Sequence, residues 1–249
     1  MSGIVNAYIM PHAPILLPEI GGAGSDVAKS TVNGCYAVAQ RIFDDSPDTI
    51  ILSSPHAPCS RDQASISQDV NLSGDFGRFG HRGLSFVFQN DTDLTGLIIA
   101  GSDIGFTDIK SLDHGALVPL YFVDKVFRNN KRGFKLVHIS TPFISSDKLY
   151  ELGRAIALAA VKAGRRAVYL ASGDLSHRLT PDAPAGYDPA GPEYDKHLVD
   201  IIRRSDVRAV LSITEMEMYK AGECGTRSFI MAFGALHGRS FGSRIYSYE

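Results

Sequence analysis

Short apolar runs recur along the chain and alternate with longer segments in which apolar residues are spaced three or four positions apart. The short runs predict β-strands over residues 4–10, 49–53, 134–139, 167–171 and 241–248. The run at 49–53 is apolar on both faces, which is typical of a buried central strand. The first run ends at Pro11, which has no backbone N–H to continue a ladder.

The longer segments predict α-helices over residues 26–44, 91–104, 116–127, 146–163, 192–203 and 225–236. The second of these begins at a capping residue, Asp91 or Asp93. The fourth begins at Ser145 or Ser146 and ends at Gly164. Residues 62–88 are polar, rich in glycine and only weakly alternating, so they predict hairpins or loops that could lie over a site.

This alternation of strands and helices predicts an α/β fold, a three-layer α/β/α sandwich around a mixed or mostly parallel sheet. No internal repeat, linker or low-complexity stretch interrupts it. We therefore expect residues 1–249 to form a single domain.

Composition narrows the possible functions. The 249 residues carry a net charge of −2 without a lysine or arginine run, so we expect no nucleic-acid partner. The apolar runs are too short to cross a membrane, and the first ten residues lack the charged start of a secretory signal. The three cysteines form no Cys-x-x-Cys pair, which favours free thiols and a cytoplasmic location.

Three histidines lie just beyond the carboxyl end of a predicted strand: His12, His56 and His177. Ligands of open α/β sheets bind in the crevice outside the carboxyl ends of the strands, so these imidazoles could meet there. Structural positions in a strand, a loop or a helix are expected for His138, His81, His197 and His237.

His12 and His56 share the same four-residue turn, Pro-His-Ala-Pro. Prolines on both sides restrict the backbone, and such stiffness suits a metal ligand that must keep its position when the ion or substrate leaves. One such turn would be an ordinary surface turn. Two, after consecutive predicted strands, favour a shared metal site.

Two further motifs each admit two interpretations. His114, in Asp-His-Gly, is either a functional residue or merely the first residue of a helix capped by Asp113. Glu223 precedes the last predicted helix, where a carboxylate gains from the helix dipole, but the flanking glycines also allow close approach to a ligand. Cys224 is an alternative ligand from the same turn. A thiolate favours zinc or a softer ion, and a carboxylate favours Fe(II) or Mn(II).

A hydrolase is a weaker hypothesis. Ser172, Asp174 and His177 resemble a nucleophilic set, but they fall in one short loop and the chain has no Gly-x-Ser-x-Gly elbow. The glycine fingerprints of phosphate and dinucleotide loops are also missing after the first predicted strand.

Taken together, these motifs resemble the class III extradiol ring-cleavage dioxygenases of the LigB superfamily, in order and spacing over nearly the whole chain. The motifs are the two histidines after the first strands, Asp113-His114-Gly115, Ser172-Gly-Asp174 with His177, and Glu223. The Gly222-Glu-Cys-Gly225 stretch also resembles the Memo-like branch, which places a cysteine about where Cys224 stands and has no settled ring-cleaving activity.

The resemblance implies a non-haem Fe(II) centre held by His12, His56 and Glu223, with zinc or manganese as other possible ions. It implies an extradiol dioxygenase that opens a catechol-type ring with O₂. His177, oriented by Asp174, would be the base, and His114 would stabilise negative charge on oxygen. Expected partners are a small aromatic substrate, O₂ and a second subunit, either a copy of the chain or a homologue.

The resemblance to the Memo-like branch implies a different outcome. There the chain would be a metal-binding protein of a redox or modification system, with Cys224 as third ligand or reactive thiol. The two hypotheses differ in whether Glu223 or Cys224 points at the ion.

Overall fold

The computed structural model describes residues 2–249, apart from the side chain of Asp26. The strands described are β1 Gly3–Met10, β2 Thr49–Ser54, β3 Gln63–Ile66, β4 Asn71–Phe76, β5 His81–Gln89, β6 Gly105–Asp108, β7 Lys135–Ser140 and β8 Arg166–Ser172. Six of them form one sheet in the order β1-β8-β2-β7-β3-β6. Its pairs are parallel except β3 with β7, while β4 and β5 form a separate antiparallel hairpin.

The helices described are α1 Pro18–Gly21, α2 Lys29–Asp44, α3 Thr92–Gly101, α4 His114–Asn129, α5 Ser146–Lys162, α6 Ala190–Arg204, α7 Val207–Leu211, α8 Glu215–Ala221 and α9 Thr226–Ala235. Side-chain oxygens cap α3, α4 and α5, from Asp91, Asp113 and Ser145. Gly164 takes a left-handed φ of 67° after α5, which is why the helix ends there. Over residues 2–249, no helix is both long and apolar enough to cross a bilayer.

Alternating residues of the central strands bury against opposite helical layers. In β2, Ile50 and Leu52 join the core formed with α2, α4 and the hairpin, whereas Ile51 joins the core formed with α3, α5, α6 and α9. The central strand is buried along its whole length, as its apolar run predicts. The three-layer sandwich around a mostly parallel sheet is therefore confirmed.

The predicted final strand is wrong. Residues 241–248 take no regular secondary structure. Side-chain hydrogen bonds hold this segment instead. Ser243 donates to the carbonyl of Ile202, and Tyr248 donates to Asp195. A strand requires a backbone ladder, and no backbone-to-backbone hydrogen bond is described for this segment.

The polar excursion predicted over residues 62–88 contains two kinds of structure. Its second part is the β4–β5 hairpin, in line with the prediction. Its first part, β3, joins the main sheet. So does the short β6, which lies between two predicted helices where no element was predicted. The short helices α7 and α8 were also missed, because α7 has five residues, α8 has seven, and both show little periodicity.

Candidate metal centre

The loops after β1, β2 and β8 meet because these three strands are neighbours and run parallel. Met10 at the end of β1 lies opposite Ser172 at the end of β8. The His12 and His56 Nε2 atoms are 2.9 Å apart, and the Cys224 Sγ lies 3.5 Å from the His12 Nε2. These three ligand atoms all lie within 4.8 Å of one another, so they could share one ion.

Ser172 fixes the tautomer of His12. The Ser172 hydroxyl donates its proton to the carbonyl of Gly115, so it can only accept from the His12 Nδ1, which lies 3.0 Å away. The Nδ1 atom of His12 therefore carries the hydrogen, and the Nε2 lone pair points into the cluster. Burial lowers the pKa of His12 to about 4, despite the opposing charge of Asp174, so the ring is neutral at pH 7.

His114 stacks on the second imidazole. The His56 and His114 rings lie 4.3 Å apart at an angle of 25°, and Phe79 at the tip of the hairpin lies 5.4 Å from His114. Burial lowers the pKa of both histidines. Gly115 makes this stacking possible, because a Cβ there would lie 3.2 Å from the His56 ring and closer still to its other neighbours. The hairpin thus lies over the site, as the sequence suggested.

Asp113 supports this part of the site from below. It accepts from the Ser54 hydroxyl at 2.6 Å, from the His138 Nε2 at 3.1 Å and from the Ala116 N–H at the start of α4. Although burial opposes it, the contacts with His138 and Ser54 hold the pKa of Asp113 well below its usual range. His138 is a buried strand residue, as expected, but its contact with Asp113 was missed. Sequence gives no signal for a pair 25 residues apart.

Asp174 links His12 to His177. One carboxylate oxygen accepts from the His12 backbone N–H at 2.8 Å, and the other lies 3.6 Å from the His12 Nε2 and 3.8 Å from the His177 Nε2. The His177 Nδ1 lies 2.6 Å from the Gly222 carbonyl, which can only accept, so this nitrogen carries the hydrogen. The carboxylate of Asp174 raises the pKa of His177.

A close contact between two glycines brings Cys224 to the site. A Cβ on Gly173 would collide with the backbone of Gly225, so only glycine allows the loop after β8 to touch the turn before α9. The N–H groups of Cys224 and Gly225 then donate to the Asp174 carbonyl at 3.3 and 3.1 Å. Burial and the Asp174 carboxylate raise the pKa of the Cys224 thiol, so a nearby cation is needed to form the thiolate.

Glu223 does not belong to this group of ligand atoms. Its Oε2 accepts from the Thr226 N–H at 2.7 Å and from the Thr226 hydroxyl at 2.6 Å, which caps the start of α9. Its Oε1 is buried and has no hydrogen-bond partner within residues 2–249. The structure therefore places Cys224, the alternative ligand, beside the histidines, and it gives Glu223 the capping role that the sequence also allowed.

The donor set fits a transition-metal ion. Two ligands about 2.1 Å from an ion, at right to tetrahedral angles, lie about 3.0–3.4 Å apart, close to the separations of the His12 Nε2 from its two neighbours. Two neutral imidazoles and a thiolate suit zinc, iron or copper better than magnesium or calcium. Ser172 cannot serve as a hydrolytic nucleophile in this arrangement, because its hydroxyl is fully buried between His12 and Gly115.

Comparison with known families matches residues 6–249 to the catalytic LigB subunit of aromatic ring-opening dioxygenase. The chain belongs to the LigB family. The resemblance seen in the sequence is thereby confirmed at family level. The His12, His56 and Cys224 group gives this LigB member a candidate metal site.

Two further comparisons found similar proteins. Protein CA_C1420 from Clostridium acetobutylicum is 35% identical over 256 residues, covering 97% of this chain and 54% of that protein. The LigB-type chain thus spans about half the length of this relative. An uncharacterized protein from Escherichia coli K12, JW3007, has a similar solved structure, with a TM-score of 0.57, 14% identity and 82% of each chain covered. At that identity the likeness supports the fold alone.

Proposed function

We propose that this LigB-family member binds one transition-metal ion through His12, His56 and Cys224 and carries out redox chemistry on a small molecule there. The observation that carries the proposal is the convergence of two imidazole nitrogens and one thiol at the carboxyl ends of β1 and β2. A bound ion would supply a Lewis acid with open positions for substrate, and iron or copper would also supply an electron-transfer centre, which zinc cannot.

The third ligand decides between the two branches that the sequence resembles. A thiol occupies the position beside the imidazoles, while the neighbouring carboxylate is held by Thr226. This arrangement favours the Memo-like hypothesis of a redox or modification system over ring cleavage. Thiolate ligation also favours iron, copper or zinc over manganese.

His177 is suited to accept a proton in this reaction. Its Nδ1 hydrogen is committed to the Gly222 carbonyl, so the Nε2 lone pair of the neutral ring is free to accept. Asp174 lies 3.8 Å from that nitrogen and stabilises the imidazolium that forms. His114, stacked on His56 under Phe79, is placed to donate a hydrogen bond to an anionic oxygen of the substrate.

Cobalt substitution tests the ligand set directly. Co(II) bound to a thiolate gives a ligand-to-metal absorption band, which we expect in the native protein and in Glu223→Gln. Cys224→Ser should lose the band and weaken Co(II) binding, because serine supplies no thiolate. A native spectrum without the band, or a band retained by Cys224→Ser, would rule out the proposed centre.

Extradiol ring cleavage is the second candidate, with Fe(II), a catechol-type substrate and O₂. It is favoured by the presence of His114 and His177 beside the cluster, and by the unpartnered Oε1 of Glu223. For this reaction Glu223 would have to leave Thr226 and replace the thiol as ligand.

Anaerobic loading with Fe(II), followed by a panel of catechols and O₂, separates the two candidates. Ring cleavage yields a yellow semialdehyde acid. We expect no yellow product, since the carboxylate is hydrogen-bonded to Thr226 and is not among the ligand atoms grouped with the imidazoles. Turnover that survives Cys224→Ala and is lost in Glu223→Ala would instead establish the dioxygenase.

A further inference from the structure

The loop that carries His177 is held by hydrogen bonds to the helices around it. It runs from the end of β8 to the start of α6, and His177 is held there by Gly222 and Asp174. Ser176, the residue before it, makes hydrogen bonds to both α8 and α6. Its hydroxyl donates to the Ala221 carbonyl at 2.7 Å, and its N–H donates to Asp195 at 2.8 Å.

Asp195 is a buried carboxylate that accepts two hydrogen bonds, one at each oxygen. It lies on α6 and is only 1% exposed. One oxygen accepts from the Ser176 N–H, and the other accepts from the Tyr248 hydroxyl at 2.9 Å. A buried carboxylate needs hydrogen bonds to both oxygens, so losing one donor disturbs the position of the other contact.

Tyr248 belongs to the C-terminal segment, residues 240–249. Within the described chain, this segment makes no backbone-to-backbone hydrogen bond and is held by side chains. Besides the Tyr248 contact, Ser243 donates to the end of α6, and Glu249 accepts from the Thr31 N–H at 2.7 Å. It closes over a cavity of about 970 Å³ along the open edge of β1, and Asp174 and His177 also line this cavity.

We propose that Asp195 and Tyr248 are positioning residues for His177, so that the C-terminal segment holds the base of the reaction in place. The inference rests on the proposed role of His177. The path runs from the Tyr248 hydroxyl through the Asp195 carboxylate to the Ser176 N–H, and from there along one peptide unit to His177. No residue of this path forms a described hydrogen bond with His12, His56 or Cys224.

The hydrogen on the His177 Nδ1 reports on this positioning, because its contact with Gly222 shields it from water. Nitrogen-15 NMR of the metal-free protein measures its exchange with solvent, and His177→Gln assigns the signal. We expect exchange about tenfold faster in Tyr248→Phe and at least as fast in Asp195→Asn, as the loss of one hydrogen bond to a charged group implies.

Tyr246→Phe is the matched control. It removes a hydroxyl from the same segment that has no described hydrogen bond, and it should leave the exchange rate unchanged. The Leu52 amide in buried β2 monitors global unfolding and should exchange at the native rate in every variant. Co(II) affinity should also match the native protein in Tyr248→Phe, because His12, His56 and Cys224 stay in place.

An unchanged His177 exchange rate in both Tyr248→Phe and Asp195→Asn would overturn the inference. So would an equal acceleration in Tyr246→Phe, or one shared by the Leu52 amide, since either would show a general loosening. Because exchange is measured without metal, this result is independent of the cobalt spectrum. The positioning role and the proposed metal site can therefore fail separately.

Discussion

Ser172 shows how a residue outside the ligand set determines what a ligand can do. Its hydroxyl accepts from the His12 Nδ1 and donates to the Gly115 carbonyl, which leaves the His12 Nε2 free to bind an ion. By sequence alone, Ser172 is a member of a possible nucleophilic set with Asp174 and His177. The structure gives it a supporting contact instead, as is common for groups next to metal-bound histidines.

Ser172→Ala should therefore weaken metal binding without removing a ligand. We expect a loss of about 10–100-fold in Co(II) affinity, measured by competition with a chelator, because the His12 ring loses its orienting partner. Ser53→Ala is the control, since that hydroxyl is equally buried in β2 but pairs with Ser228. Equal affinities for native protein and Ser172→Ala would contradict the assigned tautomer.

At the scale of elements, α5 and α9 set the position of the turn that carries Cys224. A Cβ on Gly153 of α5 would collide with the Met231 carbonyl of α9, and one on Gly234 of α9 would collide with the Tyr150 carbonyl of α5. The two helices therefore touch through their backbones. Any side chain larger than hydrogen at these positions must push α9 and α5 apart.

Gly153→Ala should lower the free energy of unfolding by about 1–3 kcal/mol, as measured by urea denaturation. Gly96→Ala is the matched control, because Gly96 lies within α3 with open space around it. There we expect unchanged or raised stability, by up to about 1 kcal/mol, from better helix propensity. A Gly153→Ala protein as stable as the native one would show that the helices can separate freely.

The strands and helix caps around the site were predictable because short sequence patterns determine them. The strands that end before His12, His56 and His177, and the caps Asp91 and Ser145, follow from short patterns. The pairing of residues 241–248 depends on whether another strand edge accepts them, which no local pattern records. The same holds for the short β3 and β6, which are defined by their neighbours in the sheet.

The candidate site was likewise predictable only in part. Both Pro-His-Ala-Pro turns indicated His12 and His56, and the structure brings these two imidazoles together. The sequence could not choose between Glu223 and Cys224, because the choice depends on whether Thr226 holds the carboxylate. Of these two adjacent residues, only Cys224 joins the imidazoles, while Glu223 is hydrogen-bonded to Thr226 at the start of α9.

For the whole molecule, the sheet acts as a common frame for two cores. One core packs α2 and α4 on one face, and the other packs α5 and α9 on the opposite face. His12 and His56 are delivered by the ends of the strands, whereas Cys224 arrives from the α9 side through the contact of Gly173 with Gly225. The centre thus requires the sheet and the α9 layer to be assembled together.

X-ray absorption spectroscopy of the Fe(II)- or Co(II)-loaded protein tests the proposed centre most directly, because it counts sulfur and nitrogen neighbours of the ion. We predict one sulfur at about 2.3 Å and at least two imidazole nitrogens at about 2.0–2.1 Å, with the sulfur lost in Cys224→Ser. A first shell of nitrogen and oxygen only, which changes in Glu223→Gln and not in Cys224→Ser, would contradict the account.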